Sequence, residues 1–461
     1  MMNSRQKWLL LAVGLGIMLN PLNSSMISVA LIRLQRTFGM EYTSASWIIF
    51  AFYIASAVAQ PVMGKASDVW GSKRIFLAGQ TMVFTASLLA PLAPGFGWLV
   101  ALRILQSIGT SMMAAVGMAL VRIHISAKSG AALSALSLFL SGAAAVGPFV
   151  GGLLTYWGGW EAIFLVNLPL TAAGYLLARK VVPDDAPLPA NSRLSALRSR
   201  IPTLGIPGML LFAFGLTALL LGILSAKSSG HAGPAAISLM SLGAVLLIAF
   251  VRHEYRSPSP FIPLRTFHEN PALYRVNLEY VLVNLLYYSL FFGMPPFLQT
   301  VRRLSEYQTG LLMLCLGLCS LAVAPAAGKW VDRSGPRPAL TGAAVLMTLG
   351  SLLLTAVTSH SSFLGIAASL AAFGAANGLN SVAMQAALFR SAPKTIIGVA
   401  SGVFNTSRYL GTILASLLIG LVMGDRFTAA GLRWLGGGLT AVAFLLLILS
   451  RRHQPEKEDG R

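Results

Sequence analysis

Fourteen aspartates and glutamates are spread over 461 residues, and thirteen of them fall between long apolar runs or in the tail. Glu279 is the exception, set well inside one such run. A carboxyl group held in lipid is costly when ionised, so an acid there is a candidate for taking up and releasing protons. A plainer alternative stands beside it. Arg275 lies one turn earlier, and an i,i+4 pair on one helix face would contribute a few tenths of a kcal/mol, on the order of 0.2–0.5. Helical geometry keeps both readings open. Asn277, Tyr280, Asn284, Tyr287 and Phe291 share a face, and Glu279 points roughly 110° from its centre at 100° per residue.

Two arginines also fall inside apolar runs. Arg103 shares a helical stripe with Gln106, Thr110, Met113 and Gly117; Arg408 shares one with Asn405 and Thr412. Arg408 needs a carbonyl, an amide or an anion as partner, and Arg103 either snorkels to a nearby surface or faces the bundle as a functional candidate. Further polar positions recur in other runs: Asn20, Asn23 and Ser24 in the first, and Asn377, Asn380, Ser381 and Met384 in the twelfth. With Tyr280, Tyr287, Phe291 and Met113 they outline an amide-rich, aromatic-lined space suited to bulky amphipathic molecules. The competing reading is that such amides join helices to one another.

The elements that position these residues are membrane spans. Apolar residues make up 56% of the chain and charged residues 10%, against roughly 25% charged in soluble proteins. Fourteen runs of about 20 residues are each long enough to cross a hydrocarbon core as helix. The net charge of +20 follows topology. With both termini inside, 25 of the 34 Lys and Arg residues fall on the inner side and 7 on the outer, which is the positive-inside bias rather than a nucleic-acid surface. The first run reads as a retained span, and Cys315 and Cys319, one turn apart in one span, read as packing residues. Nothing has the spacing of a phosphate-binding loop, a zinc site or a catalytic triad, so no metal, no cofactor and no enzymatic activity are expected.

The spans divide as six, two and six: a first bundle over 1–181, linker segments and two extra spans over 182–271, a second bundle over 272–451, and a charged tail over 452–461. A polar hinge marks the register. Gly64-Lys65-Ala66-Ser67-Asp68-Val69-Trp70-Gly71-Ser72-Lys73-Arg74 follows the second span, and Gly328-Lys329-Trp330-Val331-Asp332-Arg333-Ser334-Gly335-Pro336-Arg337 follows the tenth. A repeated G-K-x-x-D-x-x-G at corresponding places indicates two homologous halves, and its glycines permit a tight turn.

Together with Arg103-Ile104-Leu105-Gln106-Ser107-Ile108-Gly109 in span 4, Gly142 to Gly152 in span 5 and Asn405-Thr406-Ser407-Arg408 in span 13, the hinge resembles the motifs of the major facilitator superfamily. With fourteen spans and G-P-x-x-G-G in span 5, the chain resembles its drug:proton antiporter branch over essentially its whole length. The resemblance implies an all-α membrane protein with the major facilitator fold, two six-helix bundles plus two extra spans. It implies a monomer in a bacterial plasma membrane, both termini cytoplasmic, that exports hydrophobic or amphipathic drugs in exchange for protons by alternating access. Asp68 would latch an inner gate against the start of span 13, near residues 396–399, with Gly64, Gly71, Arg74 and Asp332 in the two hinges. Gly147, Pro148, Gly151 and Gly152 would form the rocking contact, a small-residue surface around a proline kink. Arg103 would tune proton coupling. The branch usually carries an aspartate in span 1 where this chain has Asn23, and asparagine does not titrate. Glu279 then leads as proton carrier. Two arginines against one acid within the spans also fit another cargo, an anionic amphiphile such as a lipid, a fatty acid or an acidic metabolite. A non-transporting sensor or scaffold is the remote third reading.

Overall fold

The computed structural model describes residues 4–124, 129–185, 205–228, 233–258, 260–262, 264–358, 361–392, 397–424 and 427–451. Fourteen helices in it are long and apolar enough to cross a membrane, and no strand occurs among the described residues. Helices satisfy every backbone N–H and C=O internally, which a chain in lipid requires.

The spans are α1 Ser4–Thr37, α2 Trp47–Trp70, α3 Ser72–Leu89, α4 Phe96–His124, α5 Ser129–Gly158, α6 Ala162–Val181 and α7 Ile206–Ser228. They continue as α8 Pro234–Arg256, α9 Pro271–Thr300, α10 Glu306–Ser334, α11 Pro336–Thr355, α12 Phe363–Ser391, α13 Ile397–Met423 and α14 Ala429–Arg451. The helix α1 outruns its apolar core and carries Arg33 and Arg36 in its last turns. Pro148 sits inside α5, which remains one helix from Ser129 to Gly158.

Two compact units emerge. One comprises residues 1–269 with 304–311; the other comprises 270–303 with 312–461. The extra pair α7–α8 therefore clusters with the first unit, as do the opening turns of α10. Within the first unit α1 packs on α4, α5 and α6, and α3 packs on α4 and α6. Within the second, α9 packs on α12, α13 and α14, and α11 packs on α12 and α14. Every one of these pairings recurs with a shift of eight helices. The repeated hinge is thus matched by a repeated packing scheme, the physical signature of a duplicated bundle.

The hinge glycines divide their labour differently from the expectation that they all serve the turn. Gly71 (φ +93°) and Gly335 (φ +75°) take the positive-φ conformation that separates α2 from α3 and α10 from α11, which glycine adopts at little cost. Gly64 and Gly328 lie inside helices with open space beside them.

The extra pair is held chiefly to itself. α7 packs along α8 and touches the remainder of its unit lightly, through α2. Where α7 begins and α8 ends, Phe212 packs on Phe250 and Phe261, with ring centroids 5.4 and 6.1 Å apart. Glu254, one of the thirteen acids expected outside the spans, is instead buried in the last turn of α8, where its Oε2 accepts from the Ile262 N–H at 2.5 Å.

Candidate functional site

A dense polar cluster of the first unit is built by α1, α3, α4 and α6. Asn23 and Asn167 exchange amide hydrogen bonds, Asn23 Nδ2 donating to Asn167 Oδ1 at 2.7 Å and Asn167 Nδ2 donating back at 2.8 Å. Asn167 opens the longer part of α6, just after a one-residue break at Val166. Its Nδ2 also donates to the carbonyls of Ile163 and Phe164, in the turn before the break, each at 3.1 Å. Gln106 Nε2 donates to Asn23 Oδ1 at 3.2 Å and to Ser87 Oγ at 2.9 Å. Arg103 Nη1 then donates to Gln106 Oε1 at 2.6 Å. One turn away, Asn20 donates to Thr110 Oγ1 at 3.0 Å, and Ser107 donates to the Phe52 carbonyl at 2.6 Å. Nearly every donor in this chain is matched to an acceptor, the arrangement that buried polar networks need.

Arg103 is where the matching stops. It is 1% exposed, so the side chain does not snorkel. Its guanidinium carbon lies 4.3 Å from the centre of the Phe52 ring, with Phe164 at 5.9 Å. Those aromatic faces attract the charge, but Nε and Nη2 have no hydrogen-bond partner.

The other expected site residues of this unit separate from the cluster. Ser24 is buried and donates to the Pro21 carbonyl of its own helix. Met113 lies in the apolar core, within contact distance of Gly16 and near Phe76. In α5, Gly147 faces Leu22 and Ser25 of α1, and Gly151 lies against the backbone of Met26. Gly152 abuts the Glu306 carbonyl, and Gly310 abuts that of Pro148. Phe149 and Tyr156 flank Tyr307 at 5.9 and 6.5 Å, and Arg33 approaches Glu306 at 3.9 Å. The small residues thus let α5 approach two partners closely, α1 and the first turns of α10, as small-residue faces do in lipid.

At the first hinge an unforeseen contact appears. The carboxylate of Asp185, past the end of α6, accepts from the backbone N–H of Lys73 at 2.9 Å and of Arg74 at 3.0 Å. It caps the start of α3 from a distant part of the sequence, filling two of the free donors of a helix N-terminus. Lys73 Nζ reaches Asp184 at 2.8 Å and the Arg179 carbonyl at 3.0 Å. The Lys73 ammonium holds the Asp184 carboxyl below its ordinary value through that hydrogen bond and its charge. Gly71 packs directly against Asp185. The side chain of Asp68, and residues 393–396 with the side chains of 397–399, lie outside the described part of the structure, so the expected latch there is not seen. Asp332, in the last turn of α10, is exposed, as is Arg74.

In the second unit the shared face of α9 meets α13. Asn277 Oδ1 accepts from Ser407 Oγ at 3.0 Å, Tyr280 stacks on Phe404 at 3.7 Å and 4°, and Gly411 lies against Val281 and Asn284. Asn284 donates to the Tyr280 carbonyl at 2.7 Å, and Tyr287 stacks on Phe291 at 5.7 Å. Arg408 is half-buried and donates through Nη2 to the Tyr409 hydroxyl at 3.0 Å. Glu279 is completely buried. Asn377 bonds Ser320 across α10 and α12 at 3.0 Å, Asn380 lies 3.7 Å from the Met347 sulfur, and Met384 is buried. Several of the amides expected to line a space therefore join neighbouring helices. Asn167, Ser87 and the Asp184–Asp185 pair escaped the sequence reading, in which Ser407 appears only as part of the span-13 motif. No local pattern singles them out, and their partners come from distant segments.

The major facilitator superfamily model matches residues 13–253 and 276–461. The chain is 42% identical to the MFS-type transporter YwoD of Bacillus subtilis, itself uncharacterized, over 93% of this chain and 92% of the relative. It is 28% identical to multidrug resistance protein Stp of Mycobacterium tuberculosis over 93% of this chain and 78% of the relative. To the methylenomycin A resistance protein of Streptomyces coelicolor it is 24% identical, over 93% and 90%. With fourteen spans, two similarly packed bundles and these matches along its length, the chain belongs to the major facilitator superfamily and is a multi-pass membrane transporter, not an enzyme.

Proposed function

We propose that this transporter exports hydrophobic or amphipathic small molecules from the bacterial cytoplasm in exchange for protons, by alternating access. Chain-long similarity to proteins named for multidrug and antibiotic resistance supports the cargo class. The observation that carries proton coupling is Glu279, a fully buried carboxyl in the interior of α9, because a mid-span acid is retained at a cost and is suited to reversible protonation. In this reading Asp68 and Asp332 belong to inner-gate hinges, the α5 glycines bear the rocking contact, and Arg103 tunes coupling through Gln106. Tyr280, Tyr287, Phe291 and Arg408 offer aromatic and polar contacts to cargo. The protein works as a monomer in the plasma membrane, with both termini cytoplasmic.

Transport into proteoliposomes under an imposed pH gradient tests the reading. Wild-type protein accumulates a lipophilic substrate uphill, and Glu279→Gln permits only downhill equilibration. Undiminished uphill transport by Glu279→Gln removes that residue from the mechanism. Comparing a lipophilic cation with a lipophilic anion in the same assay fixes the charge of the cargo.

A further inference from the structure

We propose that Arg103 holds a small inorganic anion of chloride type inside the first bundle. The guanidinium is 1% exposed, and an arginine stays protonated at any physiological pH. The spans Ser4–Thr37, Tyr42–Gly64, Ser72–Leu92, Phe96–Gly117, Leu138–Gly158 and Ala162–Val181 contain no Asp or Glu. A buried cation therefore sits in a six-helix bundle with no carboxylate in these stretches; Asp68 lies beyond Gly64, toward the end of α2. Phe52 and Phe164 offset part of that charge, and Gln106 Oε1 accepts one N–H. Oε1 is a neutral acceptor, and Asn23 and Asn167 spend their amides on each other.

Geometry says where a ligand would go. Nε and Nη2 are the two guanidinium nitrogens without partners, and together they form the side edge of the fork that grips anions with two parallel hydrogen bonds. Water on that edge would satisfy the donors yet leave the charge uncompensated, and an uncompensated buried charge is strongly destabilising. The burial of Arg103, with Phe52 against its face, selects a small ion over an organic carboxylate. The inference rests on the charge and hydrogen bonding of Arg103 within the first unit, and its test needs neither cargo nor Glu279.

Thermal unfolding of the purified full-length protein in detergent tests this without any transport substrate. At constant ionic strength and pH, replacing gluconate with chloride raises the midpoint by about 2 °C or more, with a saturable concentration dependence, since a ligand of the native state alone stabilises it by mass action. Asn23→Asp places a carboxylate one side chain from Arg103, against Gln106, and reduces the chloride response at least severalfold. Arg103→Gln, which removes both donors and the charge, abolishes it. Equal midpoints in gluconate and chloride for the wild-type protein overturn the proposal, as does an undiminished chloride shift in Asn23→Asp or Arg103→Gln.

Discussion

Asp185 shows how one side chain organises a hinge. Both its oxygens are committed to backbone N–H groups at the start of α3, so Asp185→Ala frees two donors and removes a negative charge from a helix N-terminus. Loss of such a cap costs about 0.5–2 kcal/mol, and a lowered unfolding midpoint measures it. Asp184→Asn leaves the midpoint nearly unchanged, because the Asp184 side chain is 93% exposed and solvent screens such pairs. The sign with pH follows from the direction of the shift. A carboxyl held below its ordinary value, near 3.9, favours the native contact above that value and loses the contribution only as pH falls through its folded value. The Lys73–Asp184 contact is therefore intact throughout pH 5–8. Any dependence of transport on pH in that window comes from another group, and Asp184→Asn leaves the pH profile of transport unmoved.

At the scale of elements, the glycines decide which helices approach closely. A Cβ on Gly151 would lie 2.7 Å from the Met26 Cα, and one on Gly310 would lie 2.7 Å from the Pro148 carbonyl. Gly151→Val consequently separates α5 from α1 and destabilises by about 1–3 kcal/mol, the usual cost of overpacking, whereas Gly142→Ala, with nothing within 4 Å, is near neutral in the same unfolding measurement. The hinge gives a sharper contrast. Gly71→Ala meets both a positive φ and the Asp185 carboxylate and lowers stability and transport together. Gly64→Ala, inside a helix with open space beside it, is tolerated. From sequence the two glycines look equivalent, because each belongs to the same G-K-x-x-D-x-x-G. Helix α2 continues through Gly64 and stops only at Gly71, a distinction set by where backbone hydrogen bonding ends. Glu254 escaped for a related reason. Its helix runs one turn beyond the apolar stretch, and burial there comes from the Phe212, Phe250 and Phe261 cluster rather than from local hydropathy.

For the whole molecule, span number and internal duplication were legible, since lipid demands apolar runs of a fixed length and a repeated hinge marks the same place in each half. The recurrence of helix pairings eight spans apart is the packing counterpart of that repeat. The composition of the polar networks was less legible. Asn23, Gln106 and Arg103 could be placed on helix faces, but Asn167 and Ser87 complete their cluster through tertiary contacts that no local pattern encodes. The span-9 residues illustrate the same limit: Asn277, Tyr280 and Asn284 do share a face, and that face meets Ser407, Phe404 and Gly411 of α13. The proposed coupling of cargo movement to the buried Glu279 is tested most directly by following protons. In proteoliposomes without an imposed pH gradient, an outward substrate gradient across wild-type protein drives protons the opposite way, and Glu279→Gln abolishes that flux while substrate still moves downhill. Substrate movement without proton movement in the wild-type protein, or full proton flux in Glu279→Gln, contradicts the account.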